Sequence, residues 1–364
     1  MTTSPRNPSG STPIDALTLR SPDALVAAVP YLLGFRPAES AVVVWLRGGR
    51  IMLTQRLDLP NRQVHLADWR AALWTHTAAD RADEIVVVLV TDRSDLEWIQ
   101  SAIVTDADAR GIDIRDALRV SGDRWWSLLC SDESCCPVDG RLVQPDIAEA
   151  VAAEFTLLGQ APLPDRESIE TWLSADPVQV AEVVRRLPAG LPGRGSSERR
   201  RQVWRDRSIE LVRDCLTERS GDPRVNESPA VIARLLPALA DIRVRDTALW
   251  DLAHSDSEAL RRAMPVLVQA LRAAPEGLVA PVATCVAIVA WQVGDGTRAS
   301  IAIDRALSDD PGYSLALLVM TSLRAGLPPE AWREAMGGLT RDECRNGSGS
   351  AGAANQTDAQ KESA

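Results

Sequence analysis

Lysine is nearly missing from this chain. Among 40 basic residues, Lys361 is the one lysine. The reliance on arginine, with abundant alanine and valine, reads as the nucleotide bias of a GC-rich genome and says nothing of mechanism. Phenylalanine and tyrosine are also scarce, two of each against eleven tryptophans. The tryptophans run dispersed from Trp45 to Trp332, which suits core anchors in several elements and excludes one aromatic cage. There are three histidines, so any His-based site must come from these. No window approaches 18 uncharged apolar residues, so no membrane-spanning helix is expected. The start, MTTSPRNPSGSTP, has no cationic segment before an apolar run, and no secretory signal is expected. A Gly-x-Ser-x-Gly elbow, a His-Glu-x-x-His pair and a Gly-rich phosphate loop are missing too, which excludes the commonest nucleophile, zinc-protease and nucleotide signatures. Positive charge is in deficit, with a formal net charge of -10. That balance argues against general binding to nucleic acid or anionic membrane.

What is present is an ordinary globular composition, 45% hydrophobic over 364 residues, long enough for two domains. Residues 1–12 and 341–364 are Ser, Gly and Thr-rich and read as disordered tails. Residues 13–143 alternate helices and strands. Ser21-Pro22-Asp23 starts a helix that ends near Gly34. SAVVVWLRGGRIMLTQRLDL reads as a hairpin around Gly48-Gly49. A helix is predicted over 64–79, a doubly covered strand over 85–92, and a helix over about 95–110 closed by Gly111. ALRVSGDRWWSLLC reads as a second hairpin turning at Gly122-Asp123. The order predicts an α/β domain: an α+β mixed sheet with flanking helices. Residues 144–340 show only helical periodicity, at 146–159, 166–175, 177–187, 198–218, 229–240, 244–253, 256–273, 278–293, 297–308, 312–325 and 328–336. The last helices pair through short connections, an all-α helical-hairpin domain with a single, weakly tetratricopeptide-like copy at 291–318; a plain bundle is the alternative.

Three stretches carry a resemblance: LRSPDALVAAVPYLLGFRPAESAVVVWL at 19–46, RWWSLLCSDESCCPVDG at 124–140, and WQVGDGTRASIAIDRALSDDPGYSLA at 291–316. Together they resemble the actinobacterial DUF4192 family, over about residues 13–336. The resemblance implies one unit of actinobacterial cytoplasm and brings no activity with it.

The candidate sites are few. Cys130, Cys135 and Cys136 offer three thiols where a structural zinc wants four ligands. Pro137 holds Cys136 extended, so the adjacent Cys135 and Cys136 are expected to point apart. A structural corner, a metal site and a reversible disulfide all stay open; no cofactor is predicted, and zinc is the one metal considered. His65 and His76 fall on one face of the predicted 64–79 helix, too far apart for one ion, and edge a core with Trp69 and Leu73. His254 reads as a helix C-cap. Asp92 leaves the 85–92 strand, and Arg36 enters the first hairpin, where ligands gather beyond the ends of parallel strands; Asp92 could equally cap the next turn. The arginine-rich 194–207 stretch is interleaved with Glu198, Asp206 and Glu210 and reads as an ion-paired helix. Two functions follow. One is a cytoplasmic, non-catalytic protein-interaction or regulatory module, with a protein partner or self-association, no nucleic acid and no membrane. The other is an enzyme of unrecognised type with a pocket near Asp92, Arg36 and the cysteine turn.

Overall fold

The computed structural model describes residues 21–61, 65–193, 195–217 and 226–347. The first described element is α1 (Pro22–Leu33), whose N-terminus is capped by the Ser21 side chain accepting from the Ala24 N–H. Gly34 ends it in the left-handed conformation, φ 77°, a place where glycine has no Cβ penalty. Then come β1 (Ser40–Arg47) and β2 (Arg50–Asp58), joined through Gly48 and Gly49, and α2 (Leu66–Trp74). After these lie β3 (Glu84–Val90), α3 (Glu97–Arg110), β4 (Asp113–Ser121), β5 (Arg124–Ser127) and a short edge strand, β6 (Arg141–Leu142). The sheet has six strands in the order β2-β1-β3-β4-β5-β6. Within this sheet, among the described residues, only β3 and β4 pair in parallel, Val88 opposite Leu118, with α3 as their crossover.

Alternation along β1 and β3 explains why they read as unbroken apolar runs. Val42, Val44 and Leu46, with Val86 and Val88, face one side; Ala41, Val43 and Trp45, with Ile85, Val87 and Leu89, face the other. The second side is covered by α2 and α3 through Trp69, Leu73, Ile99 and Ile103. The first side packs on Leu25, Val29 and Leu33 of α1 and continues without a break into the helical part of the chain.

That part holds α4 (Pro145–Leu157), α5 (Arg166–Leu173), α6 (Pro177–Val184), α7 (Glu198–Leu216), α8 (Pro229–Ala240), α9 (Ile242–Ala253), α10 (Ser257–Arg272), α11 (Val279–Gln292), α12 (Gly296–Asp309), α13 (Ser314–Arg324) and α14 (Pro329–Gly337). Every residue of α11 is buried, as an all-round apolar helix requires. It packs against α10, α12 and α13. The arginine-rich α7 is ion-paired, Arg201 to Glu198, Arg205 to Asp241 and Arg345 to Asp206.

Two expectations are corrected. The helix predicted over 64–79 stops at Trp74. Thr77 instead ties to the helical part of the chain, its N–H (2.8 Å) and hydroxyl (2.9 Å) both donating to the Ala325 carbonyl. His65 and His76 therefore flank α2 and share no helical face. Within the segment 341–364, read as disordered, Arg341–Asn346 forms α15 with a full capping box from Thr340 and Glu343. Arg341 pairs with Asp251 at 2.7 Å and Cys344 is buried, so tertiary contacts fix a helix too short to stand alone. The tails 1–12 and 348–364 lie outside the described residues.

Candidate functional site

Beyond the carboxyl ends of β3 and β4 lies a cleft of about 750 Å³. Three pieces of backbone build it. Thr91 extends the parallel pairing, its N–H donating to the Val120 carbonyl at 2.9 Å. Antiparallel β1 begins beside the end of β3, Ser40 opposite Val90, which brings Glu39 to the rim. The loop after α1 is strapped to the helical part: Phe35 bridges Leu163, with Arg36 N–H to the Leu163 carbonyl at 3.0 Å and Leu163 N–H to the Gly34 carbonyl at 2.9 Å. The far wall is α4, through Ala148, Glu149 and Ala152, and α4 is fixed on α1 by Tyr31 stacked on Phe155, ring centres 4.8 Å apart.

Asp92 and Arg36 line this one cleft. Around them stand three carboxylates that sequence reasoning missed: Glu39, Asp123 and Glu149. The floor is apolar, with Val29, Val88 and Val120. Two carboxylates are oriented by hydroxyls from the neighbouring strand ends. Thr91 donates to Glu39 at 2.7 Å and Ser121 donates to Asp92 at 2.5 Å. Glu39 is the one non-glycine among the described residues with positive φ, 42°, a conformation that costs energy and gathers at ligand sites. The signal that could have found Glu39 was its position directly before β1, once β1 was taken as antiparallel to β3.

The cysteine turn is elsewhere; none of its thiols lines the cleft. Its geometry also corrects the expectation that Cys135 and Cys136 point apart. The Asp132 carbonyl accepts both the Cys135 N–H (3.1 Å) and the Cys136 N–H (2.7 Å), so the chain coils into a turn that carries both side chains back toward Cys130. All three sulfurs lie within 4.8 Å of one another. The Asp132 backbone and the neighbouring Cys136 and Cys135 thiols hold the Cys130 thiol below its ordinary value. Burial, reinforced by the Cys130 and Cys135 thiols, pushes Cys136 up to about 12.

The histidines contribute no site of their own. His76 is buried, with Nε2 2.9 Å from the Gln55 Oε1 and its ring edge-on to Trp45; burial lowers its pKa. His65 sits 3.1 Å from the Asn61 side chain. His254 caps α9 and stacks on Trp250 at 3.8 Å.

No curated protein and no solved structure matches the chain. A family model described as a domain of unknown function, DUF4192, matches residues 22–330, and the chain belongs to that family.

Proposed function

We propose that the chain is a non-catalytic regulatory module that binds a small organic cation in the cleft at the strand ends. One observation carries this reading: an apolar floor under four carboxylates, Glu39, Asp92, Asp123 and Glu149, against one guanidinium, Arg36. The volume falls in the range of about 300–1,000 Å³ usual for ligand sites. Clefts with one dominant sign of charge concentrate ligands of the opposite sign. Asp92 and Glu39 are held as acceptors by hydroxyls, an arrangement suited to fixing a cation. Binding would join α1, the sheet and α4, and so reach the helical half. That half, with its weakly tetratricopeptide-like segment at 291–318, is proposed as the surface for a protein partner or self-association in the cytoplasm.

A second reading, an enzyme of unrecognised type, is favoured by the meeting of Asp92 and Arg36 in one cleft. Turnover of a bound ligand would decide for it.

The test is a calorimetric titration against matched sets of amines, guanidines and carboxylates. Cations are expected to bind, more weakly as salt screens the carboxylates. Asp92→Asn and Glu39→Gln should each weaken binding about tenfold, equivalent to about 1.4 kcal/mol, while Arg36→Met should not weaken it. Binding of the anionic set alone would overturn the reading.

A further inference from the structure

The thiols at the tip of the 130–140 loop pose a separate chemistry, one that does not rest on the cleft. The loop is held in place without them. The Trp126 indole donates to the Val138 carbonyl at 2.8 Å, and Arg124 donates to the carbonyls of Asp139 (3.1 Å) and Gly140 (3.0 Å). The Gly140 N–H donates to the Pro137 carbonyl at 2.8 Å. Asp132 organises the turn itself, its carboxylate accepting from the Ser134 N–H (2.9 Å) and hydroxyl (2.7 Å). The remaining cysteines, Cys215, Cys285 and Cys344, are each buried and belong to the core.

We propose that Cys130, Cys135 and Cys136 form a binding site for a soft d10 metal cation, held by three thiolates with one position open to solvent. Thiolates about 2.3 Å from a shared ion stand about 3.8–4.0 Å from one another. The sulfurs already lie within 4.8 Å of each other, so side-chain rotations of about 1 Å close the set. Among the described residues, no carboxylate or imidazole joins the cluster. A sulfur-only set selects Cu+ or Zn2+ over hard cations such as Mg2+ and Ca2+. A disulfide would use two of these thiols and strand the third, whereas one ion uses all three. Each thiol that binds gives its proton to solvent, so binding tightens as pH rises. The two ions differ at the open position: Cu+ is satisfied by three sulfurs, and Zn2+ takes a water as its fourth ligand.

The full chain, reduced and stripped with chelator, is titrated with Zn2+ against a chromogenic chelator and with Cu+ held by bicinchoninate. One equivalent is expected per chain, with Cys130, Cys135 and Cys136 protected from alkylation once the ion is bound. Retention of Cu+ alone identifies a three-coordinate site; retention of Zn2+ identifies one completed by water. The triple variant Cys130→Ser, Cys135→Ser and Cys136→Ser should bind at least tenfold more weakly. Near-UV circular dichroism checks its fold, which the loop's own hydrogen bonds should preserve. The single Cys135→Ser, at an exposed position, gives the same readout independently. A wild-type chain that holds neither ion more tightly than these variants overturns the proposal.

Discussion

At the scale of single residues, Asp106 shows how one carboxylate holds two helices together. It sits on α3, buried, and accepts from the Arg70 Nε at 2.7 Å and the Trp74 indole at 3.0 Å, both on α2. Hydrogen bonds from Arg70 hold its pKa below the ordinary value; burial opposes them, and the charge of Arg70, the Trp74 indole and Arg110 assist. A carboxyl depressed by folding stabilises the native state above its unfolded pKa of about 3.9, and the contribution is lost as pH falls through the folded value. Asp106→Asn should therefore cost about 1–3 kcal/mol at neutral pH. The gap from wild type should close in acid, as urea melts at the two pH values would show; a gap independent of pH would contradict it. Gly140 is a second such position. Its φ is +73°, and a Cβ there would lie inside the van der Waals surface of the Trp126 indole. Gly140→Ala should destabilise by at least 1–2 kcal/mol, measured by the same melts, and loosen the cysteine turn.

At the scale of elements, α11 is the most sensitive. Ile288 lies at its centre with no exposed surface, and Ile288→Ala should cost about 2–5 kcal/mol in denaturant melts, by lost transfer energy and the cavity left behind. This helix was legible in the sequence, because an all-apolar run of its length has nowhere to sit but inside. The hairpin around Gly48-Gly49 and the exit of α3 at Gly111 were legible for a local reason: glycine alone takes those left-handed positions cheaply. Three features were not legible, and each depends on a partner far along the chain or on a hydrogen bond that pattern does not encode. The early end of α2 depends on the Ala325 carbonyl, and α15 depends on Asp251. The cysteine turn depends on one carbonyl, that of Asp132, taking two donors. Pro137 restricts the backbone of Cys136 alone and does not set the direction of Cys135. The candidate site was half legible. A strand end marked Asp92 and the Gly34 turn marked Arg36, but Glu149 comes from a helix whose packing on α1 no periodicity reveals.

At the scale of the whole molecule, one apolar cluster contains both a sheet face, through Val42, Val88 and Leu118, and the helical centre, through Leu236, Leu267 and Val286. A shared core couples the stability of its parts. Urea unfolding followed by tryptophan fluorescence and by far-UV circular dichroism should give coincident transitions. Two resolved steps would mean that the sheet and the helices stand independently.

The bridge between Phe35 and Leu163 has a kinetic meaning as well. Every strand of the sheet lies between those two residues, so the bridge is the clasp of a chain loop of roughly 130 residues, whose closure entropy grows with the logarithm of its length. Hairpins and neighbouring helices close small loops and repay that entropy early; the clasp repays it only once its long contents have collapsed. The cleft, which sits beside the clasp, is therefore completed only after the sheet enclosed between its ends has collapsed, and a ligand seated there would act as a lock on that closure.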